Sequence, residues 1–318
     1  MKKILLFDTS EGSDNVGDDI IMDYCSQQLA KLFANDIYWY DRVPTHLKIG
    51  KTAYRMNKNA MYSFVLGTNI LKSSILRNKN WKIGFREAIN LKDLVLMGVG
   101  WGNYNKFSSD PYTKWVYKSI FSTKYIHSVR DSYTELKLKR IGFTNVLNTA
   151  CPTMWNLTPE HCRSIPIQKS NEVVTALTHY RPDVERDREM FHILNKNYSK
   201  IYLWLQQAED YEYFQSLNLK LNISFVKPQL SEYDKLLMNH NVDFIGSRLH
   251  GGIRALNFKR RTLIIGVDNR AIEINKDTNL PFMLRDNIEH VDKWVNSVKK
   301  TEIVLPNDHI NEWKSQFL

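Results

Sequence analysis

Cysteine is scarce in this chain. Three thiols in 318 residues, Cys25, Cys151 and Cys162, are an odd number with no C-x-x-C spacing, so the sequence encodes neither a disulfide framework nor a thiolate zinc site. Glycine (13) and proline (9) are too few for a collagenous or low-complexity chain, and 43% hydrophobic with 12% aromatic residues excludes disorder. No uncharged apolar run approaches the roughly 18 residues that span a bilayer. The opening segment has only Ile4 to Phe7 before an acid, short of the about 7 to 15 residues of an export signal. The chain is therefore expected in a reducing cytoplasm. There is no H-E-x-x-H, no G-x-S-x-G and no G-x-x-x-x-G-K-[ST], and His161-Cys162 has no further ligand at a familiar spacing. These absences argue against zinc hydrolysis, serine nucleophiles and Walker-type ATP use, and no metal is expected.

What is present is an alternation of short apolar runs with segments of helical period, the pattern of a parallel sheet with crossover helices. The fold class expected is α/β. Strands are predicted at Lys3 to Asp8, Ile37 to Tyr40, Leu94 to Gly98, Tyr125 to Val129 and Asn145 to Asn148. After the prolines at 152, 159 and 166 the alternation restarts, at Val173 to Leu177, Ile201 to Leu205, Ile223 to Val226, Val242 to Gly246 and Thr262 to Val267. The first helix carries Ile21, Cys25, Leu29 and Leu32 on one face, with Asp18 or Asp19 placed to cap it. Two doubly wound, Rossmann-like domains facing a cleft are expected, covering residues 1–155 and 165–318. In such sheets ligands bind beyond the carboxyl ends of the strands.

The loops there are Ser10 to Asp19, Gly98-Val-Gly-Trp-Gly-Asn103, Arg130-Asp131, Ser247-Arg-Leu-His-Gly-Gly252 and Asp268-Asn-Arg270. Ser247 to Gly252 follows a strand and opens a helix, where backbone amides bind anions. Arg248 offers a planar fork for phosphate or carboxylate, and His250 suits proton transfer near neutral pH. A helix start with a buried, hydrogen-bonded histidine is the plainer alternative. Asn15-Val-Gly-Asp18 reads equally as a turn with a cap, and Arg130 as a surface arginine paired with Asp131. The glycine-rich loop fails the dinucleotide fingerprint, because Asn103 stands where the third glycine belongs.

Together, Asn15-Val-Gly-Asp18, the loop with Gly98 and Gly100, Val129-Arg130-Asp131 and Ser247-Arg-Leu-His-Gly251 resemble the polysaccharide pyruvyl transferase family, in order and spacing. The resemblance implies a fold like that of GT-B glycosyltransferases, phosphoenolpyruvate as donor, no cofactor, and a sugar acceptor that receives a pyruvate ketal. By the same resemblance Arg130, Arg248, Leu249 and Gly251 fall on the donor and His250 is the general acid. Asp18 is a candidate base, and Asn15, Gly17, Gly98, Gly100, Asp268 and Arg270 fall on the acceptor side or the cleft. The acceptor would belong to a bacterial surface polysaccharide or its polyprenyl-diphosphate-linked precursor. A nucleotide-sugar glycosyltransferase and a non-enzymatic basic binding protein are the alternatives.

The chain has 44 Lys+Arg against 34 Asp+Glu, a net +10. Residues 46–86 hold nine of the positive residues and no Asp or Glu, interleaved with Tyr54, Met61, Tyr62, Phe64, Trp81 and Phe85. Peripheral contact with an anionic membrane at its cytoplasmic face is one reading of this segment, and a solvated helical surface is the other. No nucleic-acid module accompanies it, so no nucleic-acid partner is expected.

Overall fold

The structure is a computed structural model and describes residues 2–102, 104 and 108–318, the Arg77 side chain excepted. Asn103 of the glycine-rich loop and the Arg77 charge therefore lie outside the described residues. The chain divides into two compact units: Met1–Ser13, Ile21–Pro152 and Leu305–Leu318 form unit 1, and Asp14–Ile20 with Thr153–Val304 form unit 2. The main division falls at the start of the proline stretch. Residues 305–318, expected with the second half, group with unit 1, and residues 14–20, expected with the first, group with unit 2.

The first half of the chain runs β1 (Lys2–Asp8), α1 (Val16–Leu32), β2 (Tyr38–Pro44), α2 (Lys51–Asn59), β3 (Tyr62–Leu66), α3 (Phe85–Asn90), β4 (Leu94–Met97), α4 (Pro111–Ile120), β5 (His127–Val129), α5 (Ser132–Ile141) and β6 (Val146–Asn148). The sheet order is β2-β1-β3-β4. A parallel bridge between Val99 and Val129 continues it into the β5-β6 pair, and every pairing is parallel. Parallel strands covered on both faces are continuous apolar runs, which is why Ile4 to Phe7 and Leu94 to Met97 are wholly buried. The α1 stripe packs as its period requires, with Ile21, Cys25 and Leu29 buried. The capping expectation is corrected. The helix starts at Val16, the Asn15 carboxamide oxygen accepts from the Gly17 N–H (3.2 Å), and Asp18 and Asp19 lie inside the first turn.

The segment 46–86 is also corrected. It contains β3, a central strand that the sequence reading passed over, so Tyr62, Phe64 and Trp81 are core side chains and cannot meet a membrane. A fully buried strand has no polar alternation to betray it, and the surrounding lysines disguised this one as surface.

His127, wholly buried, accepts from the Leu96 N–H at Nδ1 (3.2 Å) and meets the Ser122 carbonyl at Nε2 (2.9 Å). Burial depresses its pKa from 6.5 to about 4, outweighing the Ser122 contact. The folded state therefore keeps the ring neutral where the unfolded chain takes up a proton. Stability from this residue is complete above about pH 6.5 and is lost as pH falls toward 4, up to about 3 kcal/mol at 1.36 kcal/mol per unit. Denaturant titrations at pH 7 and pH 4.5 should show that loss in the wild type and a smaller one in His127→Gln. Equal losses would refute the assignment.

The second half runs α6 (Pro159–Arg163), β7 (Glu172–Thr175), α7 (Val184–Asn197), β8 (Lys200–Trp204), α8 (Ala208–Ser216), β9 (Ile223–Val226), α9 (Leu230–Asn239), β10 (Val242–Gly246), α10 (Leu249–Asn257), β11 (Thr262–Gly266), α11 (Asn269–Thr278), β12 (Phe282–Leu284) and α12 (Val291–Val295). Its sheet is parallel throughout, in the order β12-β11-β10-β7-β8-β9. Counted from β7, this is the doubly wound 3-2-1-4-5-6 order, so winding reverses between β7 and β10. The loops after those two strands diverge, and ligands of such sheets bind where they part. The final helix, α13 (Asn307–Ser315), packs in unit 1, where Trp313 and Phe317 meet Phe64, and Phe317 also meets Phe33, Tyr62 and Tyr125. Among the described residues no helix is long and apolar enough to cross a membrane.

Candidate functional site

In unit 2 the reversal point is built by the ends of β7, β8 and β10. Ser247, just past β10, is tied to the β7 end through Ala176 O and the Thr178 hydroxyl (2.9 Å). Gly246 allows this approach, since a Cβ there would lie 2.7 Å from the Ala176 nitrogen. The next residue, Arg248, is the N-cap of α10 and supplies no side-chain acceptor to the helix. The guanidinium turns the other way and is buried. Its Nε donates to Leu177 O (2.6 Å), both Nη atoms donate to Gln207 Oε1 (3.1 Å each), and Nη2 reaches both oxygens of Asp210 (2.5 and 2.6 Å). Asp210 is likewise buried and accepts from the backbone N–H groups of Gln206, Gln207 and His179 and from the His179 ring. Arg248 is thus clamped at a fixed position and already holds one negative charge.

Leu249, His250 and Gly251 form the first turn of α10, all buried. Tyr233, stacked on Trp204 at 3.8 Å between ring centroids, donates its hydroxyl to Gly251 O (2.9 Å) and fixes that turn. Gln206 stands beside it. A Cβ at Gly251 would lie 3.0 Å from Gln206 Nε2, and a Cβ at Gly17 would lie 3.1 Å from Gln206 Oε1. The start of α1 is held here as well, because the Val16 N–H donates to Gln206 O (3.1 Å). Two helix N-termini therefore converge on one buried glutamine, whose Nε2 has no hydrogen-bond partner among the described residues. The first backbone N–H groups of α1 are taken by Gln206 O and Asn15, so it is the start of α10, without a side-chain cap, together with the Gln206 amide beside it, that can receive an anion. Asp18, in the first turn of α1, is also buried.

Beyond β11, Asp268 caps α11 by accepting from the Arg270 N–H (3.0 Å) and pairs with the Arg270 guanidinium (2.6 Å). Arg270 donates to the Tyr180 hydroxyl (2.7 Å), and the Tyr180 ring lies 5.2 Å from the Arg248 guanidinium. Burial opposes the Arg270 charge, but Asp268 and Tyr180 hold its pKa above the ordinary arginine value. Asn15, Gly17, Asp18, Arg248, Leu249, His250, Gly251, Asp268 and Arg270 all belong to unit 2.

Gly98, Gly100 and Arg130 belong to unit 1. Arg130 is not a surface arginine. It is buried, with Nε donating to Asp131 (3.2 Å) and Nη2 to Asn69, while Asp131 caps α5. A Cβ at Gly100 would lie 2.3 Å from the guanidinium carbon, so this glycine is the slot in which Arg130 lies. Gly98 has a left-handed φ of 69°, and a Cβ there would meet Pro152 Cδ at 2.0 Å. Both glycines make room for backbone and side-chain packing. The sequence reading missed Asp210, Gln206, Gln207, Tyr180 and Asn69, which stand in no motif. The position of Asp210 three residues into a helix after a strand was the one available signal.

Comparison with known proteins follows the same residues. The family model described as polysaccharide pyruvyl transferase matches residues 15–269. No curated protein matches the chain. Among solved structures, the Staphylococcus aureus MnaA–UDP co-structure is similar at a TM-score of 0.55 and 12% identity, covering 95% of this chain and 92% of that one. The Methanocaldococcus jannaschii UDP-GlcNAc 2-epimerase, solved with UDP-GlcNAc and UDP, matches at 0.55 and 11%, covering 96% and 95%. At such identities the likeness is one of fold, a parallel α/β chain in two Rossmann-like units.

Proposed function

The chain belongs to the polysaccharide pyruvyl transferase family, and from that premise we propose that it moves the enolpyruvyl group of phosphoenolpyruvate onto two hydroxyls of a sugar. The product is a pyruvate ketal in a surface polysaccharide or its polyprenyl-diphosphate-linked precursor. The observation that carries this reading is the start of α10, which has no side-chain cap and where Gly251, next to His250, adjoins Gln206 Nε2, without a partner among the described residues. Phosphoenolpyruvate brings a phosphate and a carboxylate, and helix N-termini suit either anion.

The chemistry asks for one acid and one base. His250 delivers a proton to the methylene carbon, and C2 gains oxocarbenium character. The first sugar hydroxyl bonds to C2 and yields its proton to a base, for which Asp18 is the candidate. Phosphate then leaves with the electron pair of its C2–O bond, and the second hydroxyl closes the ketal, its proton departing with the phosphate. Donor plus diol gives ketal plus inorganic phosphate, with no change of oxidation state, so no redox cofactor takes part. Arg248, already paired with Asp210, holds the loop in place and adds a positive edge rather than a free countercharge.

Thermal melting with added ligand tests the donor without knowledge of the acceptor. A ligand at 100 times its Kd adds about 2.7 kcal/mol to the folded state. Millimolar phosphoenolpyruvate should raise Tm by several degrees, and UDP-sugars should not. A shift from a UDP-sugar with none from phosphoenolpyruvate would move the assignment to glycosyl transfer.

A further inference from the structure

In unit 1, α3 and α4 pack side by side and present an apolar, positively charged face. Phe85 is 60% exposed, Ile89 54% and Trp115 41%, and the Phe85 and Trp115 rings stack at 5.8 Å. Tyr112 leans on Trp115, their ring centroids 5.9 Å apart. The turn at Ile75–Arg77 is fixed to the start of α4 by the Ile75 N–H donating to the Thr113 hydroxyl (2.9 Å), and it carries Leu76, 76% exposed. Side chains of this size are seldom left in water together, and a contiguous exposed apolar patch marks an interaction surface.

The charge around the patch narrows the partner. Lys79, Lys82, Arg86 and Lys118 are exposed on the same segments, with Lys114 half-buried. The one carboxylate of α3, Glu87, is buried beneath them, accepting from the Tyr54 hydroxyl and the Gly84 N–H (2.8 Å each), and α4 contains none. Protruding aromatic rings with aliphatic neighbours and a surround of cations fit the headgroup region of an anionic bilayer, α3 and α4 carrying no exposed acid and the half-buried Asp110 at the α4 N-cap being engaged with the Thr113 N–H and hydroxyl. A protein groove complementary to this face would need to be both apolar and acidic. We propose that the α3–α4 face of unit 1 docks the enzyme on an anionic membrane surface, with Phe85, Ile89, Trp115 and Leu76 entering the interface. The inference stands on this surface alone. That the membrane presents a lipid-linked acceptor to the enzyme rests on the functional reading above.

Flotation of the full chain with phosphatidylcholine vesicles, with and without phosphatidylglycerol, tests the proposal. The wild type should float with the anionic vesicles only, and added salt should release it. The doubles Phe85→Ser/Trp115→Ser and Lys82→Glu/Arg86→Glu should each cut binding at least about tenfold. Both replace surface groups away from the α10 site, so the Tm shift with phosphoenolpyruvate should hold even where the Phe85/Trp115 double lowers Tm by the loss of its ring contacts. A wild type that stays with the unbound fraction, or doubles that float as well as it does, would overturn the proposal. So would conversion of a dimer to a monomer by the Phe85/Trp115 double, which would make the face a contact between copies of the chain. Because the donor-induced shift is read on the same samples, failure of docking and failure of the donor assignment are separately visible.

Discussion

Asp210→Ala should cost on the order of 3–5 kcal/mol, because it leaves the Arg248 guanidinium buried and unpaired. The loss is compounded by three backbone N–H groups, of Gln206, Gln207 and His179, that also end on this carboxylate. Even Asp210→Asn should be severe, since one oxygen becomes an NH2 facing donors. Arg248→Met combined with Asp210→Leu should be less damaging than Asp210→Ala alone, because removing both charges removes the unpaired ion. Urea denaturation of the wild type, Arg248→Met, Asp210→Leu and the double would measure the coupling, with Asp210→Ala compared on the same scale. A cost below about 1 kcal/mol for Asp210→Ala would mean that Arg248 finds another partner.

His250→Gln should leave phosphoenolpyruvate-induced stabilisation in place and lower kcat by about 10²–10⁴, the usual worth of a positioned general acid. Glutamine keeps a polar group in the first turn of α10 but cannot deliver a proton to carbon. Phosphate release in the presence of a sugar acceptor reads turnover, and the melting shift reads binding. Turnover near that of the wild type would remove His250 from the chemistry. A variant that lost both turnover and the melting shift would show the residue acting on donor binding instead.

The sequence disclosed what rests on local pattern and concealed what rests on assembly. β10 and α10 were legible because a short, mostly apolar run, Val242 to Ile245, leads through Gly246-Ser247 into Arg-Leu-His-Gly-Gly, and the glycines mark close approach. β3 was not, since Tyr62 to Leu66 reads as one more cluster of aromatics between lysines until β1 and β4 are seen flanking it. β12 has three residues and no period to detect. Arg248 was found as a chemical group, but its state was hidden: Asp210 lies 38 positions upstream and reaches it because winding reverses at β7. Trp115 was likewise missed as a partner of Phe85, since their pairing depends on α3 packing against α4.

The discontinuous layout of unit 1 bears on its synthesis. A ribosome makes Asp14–Ile20 and Thr153–Val304 before Leu305–Leu318, so every residue of unit 2 is synthesised while unit 1 still lacks α13. During that interval the rings of Phe33, Tyr62 and Phe64 have no Trp313 or Phe317 to cover them. The nascent protein carries an open aromatic seam while unit 2 is made, and transiently exposed rings of this kind invite aggregation. Residues 305–318 can therefore cover these rings of the first unit only after the residues of the second have been made.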